Sequence, residues 1–198
     1  MQYPQRLEKL FSLLQKLPGV GRRSAQRYAF DMLLHWPERT LHELASALND
    51  IKKVLLCEEC GCLADESICL FCSNPMRRRD VLCVVGSPKE VYTLENTREF
   101  AGLYHVLPSL LSPLDGRGEE KLNLPKLISR IQKGEVRELI LALDSSLEGD
   151  ATCLFLKERL SALPVKVSRL AFGIPVGSSL EFVDGGTLAR AISARGSF

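Results

Sequence analysis

Residues 80–91 read DVLCVVGSPKEV, a short apolar run that ends in a Gly-Ser-Pro turn. A continuous apolar run of this length, bounded by turn residues, is typical of a strand buried on both faces of a parallel sheet. Residues 88–98 then read as a helix. The stretch therefore predicts a strand over 81–85 followed by a helix, the repeating unit of an α/β protein.

The same alternation continues toward the C-terminus. A strand is expected over 103–107, an irregular stretch over 108–124, a short helix over 127–133, a strand over 138–143, a helix over 148–163 and a further strand from Pro164. Alternating strands and helices imply a mainly parallel sheet with helices on both faces. From Ala171 the chain is rich in loop residues, and a last helix is expected over 187–195.

The segment before residue 54 has a helical pattern instead. Apolar residues recur at three- and four-residue steps over 7–17, and a second helix is expected over 22–34. Pro37 fits the first turn of a third helix, because proline is favoured there. That helix would carry one apolar face, made of Leu41, Leu44, Leu48, Ile51 and Leu55.

The first two helices are separated by a helix-hairpin-helix pattern, Leu17-Pro-Gly-Val-Gly21. Its glycines leave the backbone uncovered, and the first amides of the next helix lie at the positive end of the helix dipole, which suits a phosphate. Nearby arginines would hold a DNA strand without reading its bases. The candidate DNA-binding residues are Gly19, Gly21, Arg22, Arg23 and Arg27. The alternative is an ordinary helical hairpin with solvated arginines.

Four of the seven cysteines form two CxxC pairs eight residues apart. They are Cys57, Cys60, Cys69 and Cys72. Thiolates at this spacing can meet one tetrahedral Zn²⁺, and four protein ligands leave no open position, so the predicted site is structural. Cys62 is an alternative to Cys60, and a set of reduced, buried cysteines is the alternative to a metal site. Cys83 and Cys153 are expected to be packing residues.

Carboxylates follow two of the predicted strands. Glu90 comes after strand 81–85, whereas Asp144, Glu148 and Asp150 come after strand 138–143. Since functional groups gather beyond the carboxyl ends of parallel strands, these acids could share a crevice and hold Mg²⁺. The alternative is local: Asp144 caps a turn, and the other two favour a helix N-terminus.

Charge and composition narrow the class of protein. The 198 residues carry 26 basic and 24 acidic groups, a net charge of +2. Residues 1–53 hold nine basic and five acidic groups, 9 − 5 = +4, so a polyanionic partner is expected at this end. No apolar run is long enough for a membrane span, and we expect a cytoplasmic protein without a secretion signal.

Several segments, in this order, resemble the bacterial RecR family of recombination mediators. The resemblance covers essentially the whole chain. The matching segments are LPGVGRRSAQRYAF (17–30), the cysteine cluster (57–72), VVGSPKEVYTLENT (84–97), GLYHVLPSLLSPLDG (102–116), LEGDAT (147–152) and RLAFGIPVGSSLEFVDGGTLARAI (169–192).

The resemblance implies an α/β protein of several modules. These are a helix-hairpin-helix region (1–53), a four-cysteine zinc finger (54–79), a Toprim domain (80–168) and a C-terminal tail (169–198) with a short helix. It also implies a ring-like tetramer, associated with the nucleoid, that clamps DNA and acts with RecO, and in many bacteria RecF, to load RecA at single-stranded gaps. Arg23 and Arg27 would contact DNA, and Glu148 and Asp150 would engage RecO.

Two departures from a catalytic Toprim domain affect this expectation. Gly86 stands where the first strand should be followed by Glu, and Asp144-Ser-Ser146 lacks the second acid of a DxD pair. Without that Glu there is no evident general acid or base for phosphoryl transfer. We therefore expect no nuclease or strand-passage activity, and weak or absent Mg²⁺ binding.

Two other classes of function stay open. One is a small metal-dependent nuclease or primase-like enzyme, and the other is a zinc module that binds only proteins. The tail also leaves a choice, because its apolar residues would pack either on their own domain or on a neighbouring subunit. Those residues are Phe182, Val183, Leu188 and Ile192.

Overall fold

The computed structural model describes residues 3–171 and 173–196, so Phe172 of the tail motif lies outside the described residues. The chain divides after Val54 into two compact units. The first is helical, and the second contains both the cysteine cluster and the parallel sheet.

The first unit contains three helices and a short 3₁₀ turn. They are α1 (Gln5–Leu14), α2 (Arg22–His35), α3 (Glu38–Asp50) and the turn Ile51–Lys53. Its small core joins Phe11 of α1 to Ala25 and Ala29 of α2, all almost fully buried. The two alanines lie one turn apart and give the Phe11 ring room to pack against α2. The first helix ends at Leu14, earlier than the predicted Leu17.

The apolar stripe predicted on the third helix is present on α3 at Leu41, Leu44 and Leu48, and it is uncovered. The prediction was wrong at its end, because Ile51 lies in the 3₁₀ turn and Leu55 lies in a short strand of the second unit. No residue of α3 is buried, and Leu48 and Ile51 are 61% and 62% exposed in the single chain. Leu41 and Leu44, each 37% exposed, continue the stripe toward the start of the helix. A contiguous apolar surface of this kind marks an interaction site more often than an ordinary solvated face.

The second unit begins with a small antiparallel hairpin, β1 (Leu55–Leu56) with β2 (Leu63–Ala64), followed by the four-residue helix α4 (Leu70–Ser73). The main sheet has four strands: β3 (Arg78–Val85), β4 (Gly102–Val106), β5 (Glu138–Ala142) and β6 (Lys166–Arg169). All neighbours are parallel in the order β4-β3-β5-β6, with Val84 opposite His105 and Leu141. The predicted parallel sheet is confirmed.

Three helices and several short turns connect the strands. They are α5 (Pro88–Thr97), α6 (Leu124–Lys133) and α7 (Leu147–Arg159), with 3₁₀ turns at Pro113–Asp115 and Glu119–Leu122 in the predicted irregular stretch. The tail adds a 3₁₀ turn, Leu180–Phe182, and the helix α8 (Gly185–Ser193), which begins two residues before the predicted start. In the described ranges, no helix has both the length and the apolar character needed to cross a membrane.

Alternate residues of β3 pack into two different cores. Leu82 and Val84 join the apolar residues of α6 and α7 on one face, while Cys83 and Val85 meet α5 and the cysteine module on the other. Both faces of β3 are therefore covered, and this explains why its sequence is a continuous apolar run and does not alternate between apolar and polar residues. The predicted layers of helices are confirmed, and the cysteine module forms part of one of them.

Candidate nucleic-acid interface and metal centre

The loop between α1 and α2 presents bare backbone to solvent. Gly19 has φ +77°, a left-handed conformation that favours glycine, and a Cβ at either Gly19 or Gly21 would meet no other atom within 4 Å. Gly21 is the N-cap of α2, and no side chain caps the helix there. The first-turn amides of α2 therefore lie at the positive end of the dipole without a capping side chain, the arrangement that accepts a phosphate.

Three exposed arginines surround this helix end. Arg23 and Arg27 lie four residues apart, on the face of α2 away from the buried Ala25 and Ala29. The Arg27 guanidinium lies 5.3 Å from the centre of the neighbouring tyrosine ring. Among the described residues, neither these two arginines nor Arg22 forms an ion pair with a carboxylate. Their charges are thus available to an external anion.

The four CxxC cysteines meet at one buried point in the second unit. The sulfurs of Cys57, Cys60, Cys69 and Cys72 all lie within 4.8 Å of one another. The Sγ atoms of Cys60 and Cys69 are 3.4 Å apart, and a tetrahedral zinc with bonds of about 2.3 Å needs sulfurs about 3.8 Å apart. Only small movements separate this arrangement from a zinc–thiolate tetrahedron.

Local backbone geometry builds the first half of the centre. Gly61, with φ +77°, turns the chain so that its amide donates to the Cys57 carbonyl at 2.9 Å. The amide of Cys62 donates to the Cys60 sulfur at 3.4 Å, whereas the Cys62 sulfur is not part of the four-sulfur group. Cys62 is fully buried beside the centre, so the structure places it as a packing neighbour of Cys60.

Hydrogen bonding among the thiols favours a thiolate before any metal binds. A bond from the Cys72 thiol, with weaker contributions from Cys62, Cys69 and Cys57, lowers the pKa of Cys60 to about 5 against the effect of burial. The same bond raises the pKa of Cys72. The opposite shifts describe one proton held by Cys72 and shared with Cys60, and a metal ion would displace it.

Two arginines that the sequence did not single out join the cysteine module to the sheet edge. Arg130 of α6 donates from Nη2 to the Cys72 sulfur at 3.4 Å and from Nη1 to the Tyr104 carbonyl. Arg77 donates to Glu95 at 2.5 Å, and its guanidinium lies 5.4 Å from the Tyr104 ring. Arg77 and Glu95 are 18 residues apart in the sequence, and Arg130 and Cys72 are 58 apart. Contacts over such separations leave no local sequence pattern from which they could be predicted.

Glu90 lies at the carboxyl end of β3 but is already engaged. Its two carboxylate oxygens accept 2.8 Å hydrogen bonds from the Gly86 amide and the Ser87 hydroxyl. Ser87 is the N-cap of α5, so Glu90 closes a bonded turn at the helix start. The carboxylate thus reaches back toward the position where Gly86 replaces an acid.

The acids after β5 have separate surroundings. Asp144 is exposed, and Ser146 rather than Asp144 caps α7 by accepting a 3.1 Å bond from the Gly149 amide. Asp150 accepts bonds from Arg169 and Arg190. Across residues 3–171 and 173–196, the four cysteines are the only group of three or more potential ligands that converge. The four predicted crevice acids are therefore not brought together as a metal site.

The fold and these sites define the class: a modular protein that joins a helix-hairpin-helix unit and a four-cysteine centre to a Toprim domain. The Toprim domain family matches residues 80–171, the family described as "RecR, helix-hairpin-helix" matches residues 7–52, and that described as "RecR, C-terminal" matches residues 173–195.

Full-length relatives identify the family. The chain is 51% identical to "Recombination protein RecR" of Protochlamydia amoebophila, with all of both chains covered. It is 45% identical to the protein of that name from Chlamydia abortus and 44% identical to that from Moorella thermoacetica, each with 98% of both chains covered. The chain belongs to the RecR family of recombination proteins.

Proposed function

We propose that this protein is a DNA-binding recombination mediator of the cytoplasm and nucleoid. It acts with RecO, and with RecF where that protein is present, to help load RecA at single-stranded gaps. The observation that carries the proposal is the uncovered loop at Gly19 and Gly21, with Arg22, Arg23 and Arg27 at the positive end of α2. Backbone amides and exposed guanidinium groups suit phosphate and carry no base preference.

The cysteine centre is proposed to hold one structural Zn²⁺ per chain. The donor set supports this, because four buried thiolates at tetrahedral spacing match the preference of zinc and leave no position for a substrate. The metal would stabilise a module whose hairpin strands have only two residues each. Mg²⁺ binding elsewhere is proposed to be weak or absent, since the crevice acids do not converge.

The Toprim domain is proposed to be a docking site without catalysis. Its candidate partner-binding residues for RecO are Glu90, Asp144, Glu148 and Asp150. Glu90 is bonded to backbone and hydroxyl groups, and Asp150 is bonded to two arginines. These bonds support the proposal that neither carboxylate serves as a general acid or base. Nuclease assays with Mg²⁺ or Mn²⁺ test this: cleavage that disappears in Asp144→Ala would show an enzyme instead.

A homotetramer is proposed from the apolar surface that the single chain leaves open. In the first unit these exposed side chains form the stripe on α3, and in the second unit they include Phe182 and Ile192 of the tail, 82% and 57% exposed. A second copy of the chain would cover these side chains, and we propose that the tail reaches a neighbouring subunit. Light scattering of a chain truncated after Ser168 tests the tail, and an unchanged oligomer would contradict it.

The decisive experiment is binding to gapped DNA, with and without RecO, across a salt series. We expect affinity to fall steeply with salt, because each phosphate contact releases counterions. The double variant Arg23→Ala/Arg27→Ala should bind more weakly and with a shallower salt slope. The control Arg6→Ala/Arg39→Ala removes the same charge from other exposed positions of the helical unit. Equal losses in both variants would reduce the effect to net charge and refute the hairpin assignment.

A further inference from the structure

Arg130 connects the cysteine centre to the edge of the main sheet. Its side chain leaves α6, which packs on one face of the sheet, and reaches the Cys72 sulfur, which belongs to the core on the other face. Nη2 lies 3.4 Å from that sulfur, and Nη1 donates to the carbonyl of Tyr104 on the edge strand β4. The two terminal nitrogens of one guanidinium thus bond a candidate metal ligand, Cys72, and the backbone of strand β4.

The contact between Arg130 and Cys72 brings a positive charge next to the proposed zinc centre, which is negatively charged. Four thiolates around one Zn²⁺ carry a net charge of −2, and a buried charge is costly unless it is paired or hydrogen-bonded. Backbone amides donate to the sulfurs of Cys57 and Cys60. Among the described residues, Arg130 is the one cationic side chain that donates to any of the four sulfurs.

We propose that Arg130 is an outer-sphere positioning residue that slows zinc release by orienting the Cys72 sulfur and fixing it to strand β4. The proposal rests on the zinc assignment made above. Residues that hydrogen-bond metal ligands orient them, and their loss costs about 10- to 100-fold in metal affinity. Such a residue acts on the retention of the metal and needs no contact with DNA or with a partner.

Arginine suits this position better than lysine. Its planar fork supplies several donors in fixed directions and stays charged, whereas a lysine ammonium is a single flexible point charge. Arg130→Lys would keep the charge near Cys72 but could not hold the Tyr104 carbonyl and the sulfur in the same way. The conservative variant therefore separates the effect of charge from the effect of geometry.

The test measures zinc release from full-length protein to a chromogenic chelator. We expect Arg130→Ala to release zinc about 10-fold faster than the unaltered chain, and Arg130→Lys to be intermediate. Lys133→Ala is the matched control, since Lys133 is exposed on the same helix and forms no ion pair among the described residues. It should release zinc at the unaltered rate.

Replacing zinc with cobalt gives a spectroscopic test of the Arg130 hydrogen bond. The spectrum would not change if Arg130 served only to hold the fold together. Loss of a hydrogen bond to a thiolate raises the energy of the sulfur electrons, so the sulfur-to-cobalt charge-transfer band should shift to lower energy in Arg130→Ala. The band should stay in place in Lys133→Ala. If Arg130→Ala does not fold, Arg130→Gln, which keeps a donor without the charge, takes its place in both measurements.

Failure of this inference differs from failure of the zinc assignment. An unaltered chain that contains no stoichiometric zinc would refute the assignment and with it the role of Arg130. A zinc-containing chain whose Arg130 variants match Lys133→Ala in both release rate and cobalt spectrum would refute the role of Arg130 alone.

Discussion

The Asp150 carboxylate of α7 accepts a 2.9 Å hydrogen bond from the Arg190 guanidinium of α8, 40 residues further along the chain. Its other oxygen accepts a 2.6 Å bond from Arg169 at the end of β6. One carboxylate therefore joins a sheet-flanking helix, a strand end and the tail helix. A partner that bound Asp150 would compete with these two arginines.

Replacing Asp150 with Asn should loosen α8, because both arginines lose their carboxylate. Amide hydrogen exchange over 185–193 should become faster, with little change in β3. The bond from Arg169, with the charges of both arginines, holds the pKa of Asp150 below its usual value of 3.8. On acidification, the Asp150 carboxylate therefore takes up its proton at a higher pH in the unfolded chain than in the folded one. The stabilisation that the ionised Asp150 gives the folded state is complete above pH 3.8 and is lost as pH falls through the lower folded-state pKa.

The stability difference between the unaltered chain and Asp150→Asn should therefore shrink below pH 3.8. Glu181→Gln, which removes an exposed tail carboxylate, serves as the control and should leave the exchange of α8 unchanged. Equal exchange in Asp150→Asn and Glu181→Gln would contradict a role for Asp150 in holding the tail helix.

Gly149→Ala should destabilise the second unit. A Cβ at this position would lie 2.0 Å from the Asp144 carbonyl oxygen, so the first turn of α7 or the preceding loop has to move. We expect a cost of about 1–3 kcal/mol in the free energy of unfolding, the range for forced overpacking. Gly185→Ala is the control, because a Cβ there meets nothing within 4 Å. Urea unfolding of both variants checks the prediction, and equal midpoints would contradict it.

Gly19→Ala should destabilise the helical unit through backbone strain alone. Gly19 has φ +77° and open space around it, so the only penalty is the left-handed conformation, about 1–2 kcal/mol for an alanine. Gly19→Asn should lose less, because asparagine visits this conformation more readily. Thermal unfolding followed by circular dichroism ranks the stability of the unaltered chain, Gly19→Asn and Gly19→Ala. A Gly19→Asn variant less stable than Gly19→Ala would refute the strain argument.

Local sequence patterns predicted most of the secondary structure and the cysteine cluster. They did not predict contacts between residues that lie far apart in the sequence. The apolar run at 81–85 indicated a doubly covered strand, and the CxxC spacing indicated the four-sulfur cluster. Arg130 could not be found from local sequence patterns, because its contact with Cys72 joins residues 58 positions apart and depends on α6 packing where this side chain reaches the edge strand β4. The end of the first helix was also missed, since its apolar spacing continues to Leu17 although the helix ends at Leu14.

Removal of the proposed zinc ion should open the outer edge of β4. The Val106 amide donates to the Cys60 carbonyl at 2.7 Å, so its protection depends on the folded cysteine module. Because metal binding supplies folding energy in small metal modules, a chelator should speed hydrogen exchange at Val106. Exchange at Leu141, inside the sheet on β5, should change little. Complete metal removal with unchanged exchange at Val106 would show that the module folds without the ion.

His105 should make the protein less stable in mild acid. The ring is 2% exposed on β4, and burial, followed by the charges of Arg130 and Lys126 on α6, lowers its pKa to about 3. The unfolded chain binds this proton near pH 6.5, so between pH 6.5 and about 3 only the unfolded state is protonated at this site. Stability therefore falls as pH decreases through this window, by up to about 3 kcal/mol at about pH 4.5.

His105→Gln removes this titration while keeping a polar side chain, so its stability should depend less steeply on pH. Urea unfolding of metal-loaded protein from about pH 7.5 to about 4.5 measures the two slopes. Protonation of the cysteine ligands affects both proteins alike, so the difference between the slopes belongs to His105. His42→Gln, which removes an exposed histidine of α3, is the control substitution. Parallel curves for His105→Gln and the unaltered chain would mean that His105 takes up its proton equally in the folded and unfolded states.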